Sequence, residues 1–173
     1  VGGFSWFEEL VVEDVLPPWG TVEGGEEISL AGIGLMDSSE VLFGQATASV
    51  VESALERRLL KVLSPAAERP GPVDIGISNA NGQWVVPQGF LYLDDSDGDF
   101  VVTGFVPDRL PADRGGEFLV GGNGFDETTT VAVGDRNIPC TLERPQLLIC
   151  QAGPNPPGSV PVRVTQGDVW SDW

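Results

Sequence analysis

The sequence predicts an all-β chain built from two β-sandwiches in tandem. Three observations lead there. Glycine (23) and proline (14) are abundant in 173 residues while 41% of the chain is hydrophobic, a mixture that suits short strands joined by turns around a packed core. The valine-rich segments alternate apolar and polar residues, as in Val73-Asp74-Ile75-Gly76-Ile77 and Val160-Pro161-Val162-Arg163-Val164. Above all, one phrase is written twice. Gly20–Leu35, GTVEGGEEISLAGIGL, returns in looser form as Ala112–Phe125, ADRGGEFLVGGNGF, about ninety residues later.

The repeat holds its order along the chain. Val11–Gly20 matches Val101–Leu110, with Pro17 and Pro107 ninety residues apart. Gly24-Gly25 matches Gly115-Gly116, and Gly32 and Gly34 match Gly122 and Gly124. Val41–Gly44 matches Val131–Gly134, Leu59–Pro65 matches Leu147–Pro154, and Gly71–Ser78 matches Gly158–Thr165. Chance similarity does not keep order and offset over six blocks.

Each block reads as strand or turn. A proline ends the first strand of each copy, and paired glycines precede the next. That strand closes on Gly-x-Gly, where the backbone turns with no side chain in the way. A dinucleotide fingerprint fails in both copies, because Asp37 and Glu127 stand where its third glycine belongs. Ser53–Leu63 holds strong helix formers, and Ser53 with Glu56 has the form of a capping box. Its partner segment carries Pro145 and cannot be helical there, so the expectation is a loop or helical turn followed by a strand over Leu59–Leu63.

The order V-x-x-V-x-P, then GG-x-x-h-x-h-x-G-x-G (h apolar), V-x-F-G, an apolar strand near proline, G-x-V-x-h-x-h and finally F-L-Y resembles the IPT/TIG family over nearly the whole chain, twice. That family comprises immunoglobulin-like domains shared by transcription factors, plexin-type receptors and many bacterial surface proteins. The resemblance implies two tandem immunoglobulin-like β-sandwich domains. Their expected bounds are residues 8–93 and 100–173, with 94–99 an acidic linker and 1–7 a terminal strand or the remnant of a preceding repeat, since Gly2–Trp6 is similar to the closing strand Gly89–Leu93.

Charge narrows the function classes. The chain carries 26 acidic against 9 basic residues, a net charge of −17, which repels phosphate backbones and anionic membranes. The densest basic spot, Arg57, Arg58 and Lys61, is too small to make a nucleic-acid surface. Histidine is absent, which removes His-based triads and the commonest zinc ligand. Among so many carboxylates, a pair at glycosidase spacing carries no signal. No apolar run approaches the roughly 20 residues of a membrane helix. The N-terminus has neither a basic start nor an apolar stretch, so no signal peptide is read there. It also lacks Met, and the chain is expected to be a processed product or an excised piece. A non-enzymatic extracellular or cell-surface module is the expected class, with a protein partner or neighbouring repeats as its contacts and a glycan as the alternative.

Three sets of candidate site residues follow. Cys140 and Cys150 flank Thr141–Ile149, which reads as a hairpin whose strands bring Cα atoms within bonding reach. Two buried free thiols are the competing reading of that hairpin, whereas the family resemblance implies that the two pair. Val50 and Val62 occupy the matching places in the first copy, an apolar swap that predicts burial of the site in both. Asp94, Asp95, Asp97 and Asp99 crowd oxygen ligands suited to Ca²⁺ at the junction. An EF-hand pattern is incomplete there: with Gly98 sixth, Leu93 stands first and no glutamate comes twelfth, and a solvated acidic linker is the competing reading. Trp19, Trp84 and Trp170 fall on turns and terminal hairpins, where aromatics stack on sugars, anchor partners or cap a sandwich.

Overall fold

The computed structural model describes residues 6–172. The reading of Gly2–Trp6 as a closing strand therefore lies outside the described residues except for Trp6, as does Trp173. Among the described residues, all regular structure is β apart from a 3₁₀ turn at Leu55–Arg57. The chain divides into two compact units, Val1–Ala67 with Val73–Phe90, and Glu68–Pro72 with Leu91–Trp173.

The first sandwich is built from β1 (Val11–Leu16), β2 (Trp19–Thr21), β3 (Glu27–Ile33), β4 (Glu40–Phe43), β5 (Ala46–Thr47), β6 (Ser49–Ala54), β7 (Leu59–Leu63), β8 (Gly71–Asn79) and β9 (Gly82–Leu93), of which Gly71–Pro72 and Leu91–Leu93 group with the second unit. They make two sheets, β1-β3-β7-β6 and β2-β9-β8-β4-β5. Alternation drives the layering. Ile28, Leu30, Leu60 and Val62 from one sheet and Val41, Phe43, Ile75 and Ile77 from the other are all buried. Phe43 meets Phe90 of β9 edge-on at 4.9 Å.

The second unit repeats the plan with β10 (Val101–Val106), β11 (Gly116–Asn123), β12 (Thr130–Val133), β13 (Arg136–Ile138), β14 (Cys140–Arg144), β15 (Leu147–Ala152), β16 (Val162–Gln166) and β17 (Val169–Asp172). Its sheets run β10-β11-β15-β14 and β13-β12-β16-β17, the immunoglobulin-type order of the first unit without, among the described residues, a counterpart of β2. Phe118, Val120, Val131, Leu148, Cys150 and Val164 lie at its core.

The repeated glycine phrase now has a physical cause. In each unit the first strand carries a bulge, between Val12 and Asp14 and between Val102 and Gly104, and a glycine pairs with the residue before it: Val12 with Gly32, Val102 with Gly122. A Cβ at Gly32 would stand 2.1 Å from the Val11 carbonyl oxygen, and one at Gly122 would stand 2.1 Å from that of Val101. Only glycine admits that approach. The second glycine of each pair turns the chain in the left-handed region, with φ of 69° at Gly34 and 68° at Gly124. The peptide bonds before Pro17 and Pro107 are both cis, so the copies agree there too.

Ser53–Leu63 resolves as the end of β6, the 3₁₀ turn and β7. The capping box does not form: Ser53 is still in β6 and its hydroxyl donates to Asp37. Pairing with β7 outweighs the local helix preference of this segment.

Candidate functional site

Cys140 and Cys150 are bonded, and they face each other directly across the β14–β15 hairpin with Cα atoms 4.1 Å apart. Val50 and Val62 face each other in the same way across β6 and β7. The swap is therefore one of register. Burial follows it only in part: Cys150 and Val62 are fully buried, while Cys140 is half-buried and Val50 is 36% exposed. The physical reason is position. β7 and β15 are inner strands, whereas β6 and β14 form sheet edges with one flank open.

The acidic junction is engaged by its own protein groups. The Asp94 carboxylate accepts from the Ser96 backbone N–H at 2.9 Å, and these bonds to Ser96 hold its pKa below the usual carboxylate value. Arg144 Nη1 donates to Asp95 Oδ1 at 3.0 Å. Asn123, buried at the end of β11, donates to the Ser96 carbonyl at 2.6 Å and accepts from Gly124 N–H at 2.8 Å. Among the described residues no three carboxylates converge as metal ligands. Thermal melts in EDTA and in excess Ca²⁺ are expected to coincide, because Asp95 already has a cation. A rise in Tm with Ca²⁺ that Asp97→Ala removes would put a metal there instead.

The tryptophans divide between the units. Trp19 opens β2 and Trp84 lies in β9, the neighbouring strand of that sheet, and both are half-buried. Trp170 lies in β17 and is 60% exposed. It pairs with Thr165, which puts Arg163 on the same face one diagonal away, and the guanidinium sits 5.2 Å from the ring centroid. The outcome is an open aromatic-cationic surface on the β16–β17 edge of the second unit.

Two polar knots were not anticipated from the sequence. Glu26 accepts from Thr21 N at 2.8 Å, Thr21 Oγ1 at 2.7 Å and Ser64 Oγ at 2.6 Å. Burial alone would raise its pKa, but the bonds from Ser64 and Thr21 outweigh that and hold it below 4.5. The knot ties β2 to the residue before β3 and to the residue after β7. Across the matched registers its counterparts in the second unit are Gly116 and Ala152, so the knot has no copy there. The Glu26 carboxylate stabilises the fold above the unfolded-state pKa, and that contribution fades as pH falls through the lower folded value. Glu26→Gln is expected to lower stability by about 1–2 kcal/mol at neutral pH in urea titrations, with the gap closing as pH falls below the usual carboxylate range.

The second knot lies in Asp126–Thr130, which the sequence presents as a plain polar loop. Asp126 accepts from Thr128 N at 2.8 Å and from Gln166 Nε2 at 3.0 Å, and Thr129 Oγ1 donates to Gln166 Oε1 at 3.0 Å. Asn79 reaches Ser39 Oγ at 2.8 Å in the first unit, so a hydroxyl-to-amide tie recurs at the same end of both sandwiches. A short polar residue a few places after the phenylalanine or leucine of the Gly-x-Gly turn was the only available signal.

With that geometry in place, a family model for the IPT/TIG domain matches residues 10–92 and again 101–172. The chain belongs to the IPT/TIG family. Solved structures similar to this IPT/TIG pair include the full extracellular region of plexin A4, at 16% identity and a TM-score of 0.46 over 90% of this chain. Another is SGBP-B from a xyloglucan utilization locus of Bacteroides uniformis, at 13% identity and a TM-score of 0.37 over 96%. A third is the surface glycan-binding protein PbSGBP-B of Prevotella bryantii, at 17% identity and a TM-score of 0.38 over 95%. The IPT/TIG pair spans 14%, 48% and 41% of those chains respectively. No curated protein matches it in sequence. Among the described residues, no helix is long and apolar enough to cross a membrane.

Proposed function

We propose that the chain is a non-enzymatic extracellular module, a pair of immunoglobulin-like beads that spaces or connects parts of a larger surface or secreted protein through protein–protein contacts. The observation that carries this reading is the Cys140–Cys150 bond across an edge hairpin, since such bonds persist in oxidising compartments and resist detachment of the edge strand. A strongly acidic surface keeps such beads soluble and apart.

The test is mechanical. Pulling the chain from its ends in a force spectrometer should give two separate unfolding events. Reductant should lengthen one of them by about 3 nm, the extended length of the ten-residue separation that the disulfide hides. Extension without discrete events would remove the spacer role.

A glycan-binding accessory role is the second reading, and Trp170 favours it, because an exposed indole backed by Arg163 offers a flat face to a sugar ring. Retardation in β-glucan affinity gels that Trp170→Ala abolishes would establish it, and unchanged migration of the native chain would exclude it for those polymers.

A further inference from the structure

The β8–β9 hairpin of the first sandwich holds an asparagine placed for a covalent change in its own backbone. Of the five asparagines in the chain, only Asn81 and Asn123 are followed by glycine. That neighbour matters because glycine has no Cβ to keep its nitrogen away from the preceding side-chain amide carbon. The two Asn-Gly pairs sit in opposite surroundings. β8 ends at Asn79 and β9 begins at Gly82, so Ala80 and Asn81 make the turn between them. Asn81 is half-buried, Gly82 is exposed, and nothing lies within 4 Å of a Cβ at Gly82. Asn123 instead is buried at the end of β11. Its Nδ2 donates to the Ser96 carbonyl at 2.6 Å, and its Oδ1 accepts from the Gly124 N–H at 2.8 Å, which retains the proton that must leave before the nitrogen can attack.

We propose that Asn81 is a self-modification site, converting to aspartate and isoaspartate through a succinimide ring closed by the Gly82 nitrogen. Solvent hydroxide takes the Gly82 N–H proton, and that nitrogen forms a bond to Asn81 Cγ. The Cγ–Nδ2 bond breaks, and Nδ2 takes a proton from water and leaves as ammonia. A water molecule then opens the ring. Breaking the bond from the Gly82 nitrogen to Cγ leaves aspartate. Breaking its bond to the Asn81 backbone carbonyl carbon leaves isoaspartate, whose main chain runs through Cβ and Cγ. The sum is water consumed and ammonia released, with no oxidant or reductant. The structural consequence falls on Gly34, the left-handed turn that follows β3. Asn81 Nδ2 donates to the Gly34 carbonyl at 2.9 Å, beside Asn79 Nδ2, which donates to the same oxygen at 3.0 Å. Conversion removes one of these donors and sets a carboxylate, which only accepts, against a carbonyl oxygen. Isoaspartate also adds a backbone carbon to a turn whose length fixes the strand register. The hairpin tip therefore loosens from the strand end that it is tied to. The proposal goes beyond the spacer role and stands or falls separately from it.

Incubation of the folded chain in mildly alkaline buffer made with heavy-oxygen water, followed by tryptic mapping, tests it, because Asn81 and Asn123 fall in different tryptic peptides. The expected result is a labelled carboxyl at Asn81. Asn123 should convert at least roughly tenfold more slowly, since it must wait for the end of β11 to open. In urea the two sites should convert at similar rates, because the difference is made by the fold. Asn81→Asp tests the consequence: hydrogen exchange should quicken at Gly34 and at the β8–β9 tip while the second sandwich is unchanged. An Asn81 that stays an amide in the folded chain, or that converts no faster than Asn123, would overturn the proposal. So would a rate difference that persists in urea, or an Asn81→Asp chain that exchanges like the native one.

Discussion

Gly122→Ala is expected to lower stability by about 3 kcal/mol and to drop the melting transition that carries the second unit by roughly 10–20 °C. The added methyl would lie 2.1 Å from the Val101 carbonyl oxygen and 2.3 Å from Phe125 Cζ. The ring has room to move only at the expense of the core, and the carbonyl belongs to a strand fixed by the pairs Val101 with Asn123 and Val102 with Gly122. Relief therefore requires β10 to separate from β11 at its bulge. Gly32→Ala should act alike in the first unit, since its methyl meets the Val11 carbonyl oxygen at the same 2.1 Å. Gly153→Ala is the control: nothing lies within 4 Å of a Cβ there, and its expected effect is within about half a kcal/mol. Calorimetry of the three variants decides the matter. A Gly122→Ala chain that melts with the native one would mean that the bulge is not held as described.

Removing the disulfide comes next in size. Cys140→Ser with Cys150→Ser, or reductant on the native chain, is expected to cost about 2–3 kcal/mol, because a loop with a ten-residue separation is released in the unfolded chain. The loss should fall on the second unit alone and should show first as faster hydrogen exchange in β14, the edge strand that the bond holds to β15. Denaturant titration with and without reductant measures it, and the first unit supplies the internal reference, since Val50 and Val62 hold the matching positions without a bond. Equal loss in both units would show that the bond's effect is not local.

Much of this frame was legible in the residues. The ninety-residue repeat, the alternating valines and the Gly-x-Gly strand ends pointed to two sandwiches of one kind, and the hairpin around Pro145 with its flanking cysteines fell where the structure has it. The reason is that strand faces, turns and close backbone approaches impose residue types at fixed spacing, and such constraints are visible in one dimension. Other features were not visible. The half-exposed state of Cys140 and Val50 depends on which strands end up at sheet edges. The Asp95–Arg144 pair spans 49 residues and the Glu26–Ser64 bond spans 38, and no local pattern marks either.

The lone sequence thus determined the fold class, the duplication and the two glycines per unit that let the first strand bulge against its neighbour. The tertiary structure alone decided which strands lie at sheet edges, as β6 and β14 do, and which distant polar groups meet, as Glu26 and Ser64 do. Ser53–Leu63 carries strong helix formers, yet it folds as the end of β6, a 3₁₀ turn and β7, because β6 and β7 pair along their length. Strand propensity is a property of the residue, but a strand exists only when a neighbour takes up its backbone hydrogen bonds, and which neighbour is present is a fact of three dimensions.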